Sequence, residues 1–138
     1  MKQLRPLSRA HLLIHQICRF TVAGIWLYQG LVPKLLGPHH DELAMASAFG
    51  IRPELQSIVS YAAGTAEVAF ALCLVLLHSY VWPQLASAIA TAVLLLFVAI
   101  YTPSYLVAAF NPVVMNVASI SLSAIAILVL RESVEVES

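Results

Sequence analysis

The chain has 138 residues, no net charge at neutral pH, and 61% hydrophobic residues against 10% charged. Soluble domains carry roughly 25% charge, so a soluble enzyme, a disordered tail and a basic nucleic-acid binder are excluded. What remains is an integral membrane protein with little outside the bilayer. The charge is also unevenly spread, since no Asp, Glu, Lys or Arg occurs between Glu67 and Arg131.

In chain order, Lys2, Arg5 and Arg9 precede a first predicted helix over residues 12–33, interrupted by Arg19 and Gln29. The basic leader suits a signal peptide, but Arg19 cuts the apolar run and no small-x-small cleavage site follows before Lys34, so a retained helix is expected. Residues 37–52 form the longest connection. Within it Asp41 to Phe49 reads as a short amphipathic helix stopped by Gly50, with acidic residues at the end the helix dipole favours. That helix is expected to lie on the membrane surface or to fold over the bundle mouth.

Three further helices are predicted over 56–77, 83–101 and 112–130, with Glu67 near the centre of the first of them. Pro53, Pro83 and Pro112 stand where helices begin, a position at which the missing N–H has no partner to lose. Asn111 caps the last helix, and Thr102-Pro103 closes the one before it. Trp26, Tyr28, Tyr80, Trp82, Tyr101 and Tyr105 mostly fall near span ends, where amphipathic rings prefer the interface. The expected fold is an all-α, four-helix membrane bundle occupying residues 1–138 as a single transmembrane domain. Basic residues in the flanks (Lys2, Arg5, Arg9, Arg131) are expected to place both termini in the cytoplasm, and an even number of spans requires them on one side.

An ionisable side chain at the bilayer centre costs about 2.5–3.5 kcal/mol, so Arg19 and Glu67 are expected to face each other, directly or through a third polar group. His15, Arg19, Ala23, Trp26 and Gly30 share one face of the first helix at a 3.6-residue period. Ser60, Ala63, Gly64, Glu67 and Ala71 share one face of the second. Ser87 and Thr91, and then Asn116, Ser119, Ile120 and Ser123, give the last two helices small or polar stripes of their own. The Arg19–Glu67 pair reads either as a structural register or as part of a ligand or proton site. Asn116 reads either as an interhelical hydrogen bonder or as a ligand group.

His39-His40-Asp41-Glu42 invites a metal reading, but consecutive side chains are expected to diverge around a helix start, and no metal is assigned. Cys18 and Cys73 show no CxxC spacing and read as packing thiols. No catalytic motif is present, so no catalytic residue is assigned.

The string Arg19-Phe20 … Trp26-Leu27-Tyr28-Gln29-Gly30-Leu31-Val32-Pro33-Lys34-Leu35, with His40-Asp41-Glu42 after it, resembles the opening of the DoxX-like family. So do Gly64-Thr65-Ala66-Glu67-Val68 and Phe110-Asn111-Pro112-Val113 … Asn116. The resemblance implies a four-helix, multi-pass protein of the bacterial plasma (inner) membrane. Relatives in the wider group are associated with quinone-linked sulfur oxidation or membrane redox complexes, and some are fused to nucleotide-dependent reductase-like domains. It also implies a polar signature at Arg19, Lys34, Asp41, Glu42, Glu67, Asn111, Pro112 and Asn116. Lys34, Asp41, Glu42 and Asn111 are expected to form an external mouth above an intramembrane site of Arg19, Glu67 and Asn116.

Three functions follow in order. The first is a non-catalytic or quinone-interacting membrane subunit of a redox system, partnered by a membrane or soluble oxidoreductase or by further copies of itself. The second is a scaffold or assembly partner. The third is a small transporter, against which stand the short chain and the lack of evident inverted repeats.

Overall fold

A computed structural model describes residues 8–109 and 111–135, with side chains as far as Glu132. Lys2 and Arg5 of the basic leader, and Phe110 of the family-like string, lie outside the described residues. The helices are α1 (Arg9–Gly30), α2 (His40–Ala48), α3 (Pro53–Leu76), α4 (Trp82–Tyr101) and α5 (Pro112–Glu135). Four segments are long and apolar enough to cross a membrane: Arg9–Leu35, Pro53–Leu76, Trp82–Tyr101 and Pro112–Glu132.

Local chemistry sets the boundaries. Ser8 caps α1 by accepting from the His11 N–H at 3.2 Å. Pro53 and Pro83 sit in the first turns of α3 and α4. Asn111 caps α5 by accepting from the Val113 N–H at 3.1 Å, as its sequence position predicts. The first crossing departs from expectation, because α1 does not stop at Pro33. A π-helical turn, Leu31–Leu35, carries it on, closed by the Leu36 N–H donating to the Leu31 carbonyl at 2.8 Å. Proline 33 has no N–H for the carbonyl of Gln29 four residues back, and the Lys34 ammonium lies 3.4 Å from that oxygen instead.

The four long helices pack in the order α3, α1, α5, α4, and α3 barely touches α4 although a short turn joins them. His11 on α1 lies 3.9 Å from Glu132 on α5, so the two ends of the described chain meet at one end of the bundle.

The interior is unusually polar. Ser60, Gln84, Ser87, Thr91, Ser119 and Ser123 are buried, while Leu13, Ile17, Phe20, Leu72, Ile89 and Leu96 face outward. Water would invert that distribution, and lipid permits it, because tails solvate leucine as well as a protein core does. A buried chain of hydroxyls ties three helices together. The Trp26 indole N–H donates to Ser87 at 2.9 Å, and Ser123 donates to Ser87 at 3.4 Å. The apolar centre is Val22, Ala23 and Trp26 of α1 against Ala71 and Leu74 of α3, with the Phe70 ring edge-on to Trp26 at 5.0 Å.

Candidate functional site

Helices α1 and α3 cross at Gly30 and Gly64. A Cβ on Gly64 would stand 2.7 Å from the Gly30 carbonyl oxygen and 2.8 Å from the Lys34 Cβ. A Cβ on Gly30 would meet the Gly64 carbonyl at 2.7 Å and the Glu67 Cβ at 2.9 Å. Only two glycines allow the backbones this close, and the approach sets Lys34 beside Glu67.

The expected Arg19–Glu67 pair does not form. Glu67 lies at the level of Gly30, eleven residues beyond Arg19, which is about 16 Å along a helix axis. The π-helical extension explains the error in register: it lengthens the first crossing, and the middle of the apolar run no longer marks the level of Glu67. Lys34 takes the place assigned to arginine. Its ammonium sits 3.1 Å from Glu67 Oε2 and 3.2 Å from Glu42 Oε1, with all three side chains largely buried. The approach to Glu67 is an ion pair without good hydrogen-bond angles, and Oε2, sealed from solvent, has no aligned donor.

Of the four residues expected at an external mouth, Lys34 and Glu42 turn inward and Asp41 and Asn111 do not. Asp41 accepts from the Tyr105 hydroxyl at 3.1 Å, which ties α2 to the connection between α4 and α5. Burial, and then the Asp41 carboxylate that accepts its proton, hold the Tyr105 phenol above its ordinary value. The Asn111 amide donates to the Ala108 carbonyl at 3.2 Å.

The histidine pair also departs from expectation. His39 Nδ1 and His40 Nε2 converge on the Asp41 carboxylate at 3.3 and 3.0 Å, and their potential ligand atoms lie within 4.8 Å of one another. The reason is the helix start. Only His40 and Asp41 are in α2; His39 is its extended cap residue and folds back to accept from the Asp41 N–H. Cys18 and Cys73 are both free thiols.

Lys34, Glu42, Glu67 and Asn116 border a cavity of about 380 Å³ lined by residues of all five helices. Its walls are apolar at Ile25, Trp26, Val59, Phe97 and Met115, and it is covered by Met45 and Ala46 of α2 and by Phe49, the residue that caps that helix. Phe49 seats that cover by packing on Phe97 and Tyr101 of α4, at 5.4 and 5.2 Å between ring centres. The short helix therefore folds over the bundle mouth, one of the two positions expected for it. Gln29, noted in the sequence only as a polar interruption of the first helix, and Gln56 add amides to the lining. Three lining residues, Ser60, Ser119 and Glu67, each keep a buried oxygen without a hydrogen-bond partner.

A second cavity of about 220 Å³ lies in the gap between α3 and α4 and shares Trp26 and Glu67 with the first. The site can thus take a mainly apolar molecule with a few oxygen or nitrogen atoms, and can offer it a cation, carboxylates and amides.

No curated protein and no solved structure gives a significant match to the chain. A family model does match, over residues 23–124, a stretch that holds Lys34, Glu42, Glu67 and Asn116 and leaves Arg19 outside. With the four apolar helices and three-quarters of its length inside that match, the chain is a multi-pass membrane protein that belongs to the DoxX-like family.

Proposed function

We propose that the protein is a quinone-binding membrane subunit of a redox system in the bacterial inner membrane. The observation that carries this reading is the cavity itself, an apolar chamber lined by Ser60 and Ser119, whose buried hydroxyl oxygens have no hydrogen-bond partner, and by the Lys34–Glu67 ion pair. Buried polar atoms in folded proteins nearly always have partners, so a ligand with hydrogen-bonding groups fits this chamber better than a purely apolar one. At about 380 Å³ the volume falls in the range of small-molecule sites.

A quinone ring matches the lining. Lys34 and the Asn116 amide donate to the two carbonyl oxygens, Glu67 exchanges a proton with the bound head group, and Trp26 and Phe97 flank the ring. The tail leaves through the gap between α3 and α4, where the second cavity adjoins Glu67. Electrons come from an oxidoreductase partner. A second reading is favoured by the Lys34–Glu42–Glu67 cluster, which ties the π-helical turn, α2 and α3 together and would serve a scaffold equally well.

Fluorescence separates the two. The chain has two tryptophans, and Trp82→Phe leaves only Trp26, in the cavity wall. Titrating a short-tail ubiquinone analogue into this variant in nanodiscs should quench Trp26 saturably. Glu67→Gln or Asn116→Leu should weaken binding about tenfold, the equivalent of 1.4 kcal/mol. No saturable quenching leaves the scaffold reading standing.

A further inference from the structure

The end of the bundle away from the cavity carries a polar cluster that quinone binding does not use. Arg19 and His15 lie one turn apart on the buried face of α1, 9% and 7% exposed. Arg19 Nε and His15 Nε2 are sealed from solvent with no partner among the described residues. The Arg19 guanidinium stands 4.5 Å above the ring of Phe20, which faces outward. The groups that act electrostatically on the His15 ring are Arg19 itself and His78 from the turn between α3 and α4, and no carboxylate of the described residues is among them.

A guanidinium stays charged at any physiological pH. Exposed Leu12, Leu13 and Ile17 put Arg19 inside the apolar belt, where an uncompensated charge is costly. Helical side chains lean toward the N-terminus of their own helix. For Arg19 that direction runs to the nearer end of the bundle, past His15, which is about 6 Å closer to the surface. Arg19 and His15 thus stand one turn apart on one face of α1, toward the end of the bundle that carries His11 and Glu132.

We propose that Arg19 and His15 bind a phosphate oxyanion, carried by an anionic lipid head group or free in solution. The planar fork takes two phosphate oxygens in parallel hydrogen bonds, and a turn of the His15 ring brings its N–H to a third. The lipid source suits the outward-facing Phe20 and Leu13, which would lie along an acyl chain.

The full-length protein in mild detergent is mixed with phosphatidylglycerol and phosphatidylcholine and read by native mass spectrometry. In parallel, inorganic phosphate is titrated and followed by phosphorus NMR. Retention of phosphatidylglycerol over phosphatidylcholine, weakened about tenfold or more in Arg19→Gln, is the expected result. Binding of inorganic phosphate with the same Arg19 dependence supports the site and assigns it to the soluble anion. The proposal is overturned if wild-type protein neither prefers phosphatidylglycerol nor binds phosphate, or if Arg19→Gln binds as well as wild type. Should Arg19→Gln not fold, Arg19→Lys, which keeps the charge and loses the fork, is read in its place with the same expected weakening. If neither variant folds, the wild-type preference alone decides.

Discussion

Lys34 is the residue on which most of the candidate site turns. One ammonium sits between two carboxylates that would otherwise repel each other in a largely buried setting. Removing one partner of a buried pair usually costs about 3–5 kcal/mol, since a charge is left stranded, whereas removing the whole pair costs far less. Lys34→Met should therefore lower the unfolding temperature sharply in detergent, monitored by circular dichroism. Lys34→Met combined with Glu42→Gln and Glu67→Gln, which removes the whole charge cluster, should recover most of the loss. If the triple variant is no more stable than the single, the ion pairs are not what holds Lys34 inward. That Glu67 needs a basic partner was legible in the sequence; that the partner is Lys34 and not Arg19 was not. Proline 33 reads as the end of a helix, and nothing in the sequence marks the π-helical turn that carries Lys34 on into the bundle. The consequence for Arg19 is that its counter-charge must come from elsewhere.

At the scale of elements, the α1–α3 crossing sets the site's dimensions, and its glycines are not interchangeable with the others. Gly64→Ala places a methyl against backbone that cannot give way, at 2.7 Å from the Gly30 carbonyl. The helices must part, at a cost of about 1–3 kcal/mol for overpacking, and Lys34 and Glu67 part with them. Gly24→Ala is the control, because nothing lies within 4 Å of the added carbon. Thermal unfolding should separate the two alanines clearly, with Gly24→Ala at or above wild type, and equal losses would show that the close crossing is not specific. Here the sequence was informative. The 3.6-residue spacing places Gly64 on the inner face of its helix beside Ser60 and Ala71, and all three are buried. Periodicity identifies a face reliably; it carries no information on vertical register between helices, which is why the stripes were correct and the pairing across them was not.

The molecule as a whole is a bundle with α2 laid over the end that holds the cavity, and specific side chains tie that cover down. Phe49 rests on Phe97 and Tyr101, Glu42 reaches Lys34, and Tyr105 donates to Asp41 from the connection before α5. Composition announced the membrane class at once, but the folding of α2 over the cavity depends on contacts between residues far apart in sequence, such as Asp41 with Tyr105, which no local pattern reveals. The Tyr105 tie has a defined pH dependence. Its phenol is held above the ordinary tyrosine value of about 10, so the fold binds that proton more tightly than the unfolded chain does. Stability from this group is then complete below the ordinary value and is lost as pH rises through the folded one. Beyond it the tyrosinate has no proton to donate and repels the Asp41 carboxylate. Hydrogen exchange across residues 40–48 should accelerate in that alkaline window beyond the rise intrinsic to the chemistry. In Tyr105→Phe the cover should already be looser at neutral pH and should show no further alkaline step. The difference between wild type and Tyr105→Phe isolates the phenol. An alkaline step of equal size in both proteins would show that the Tyr105 phenol is not what holds the cover in place.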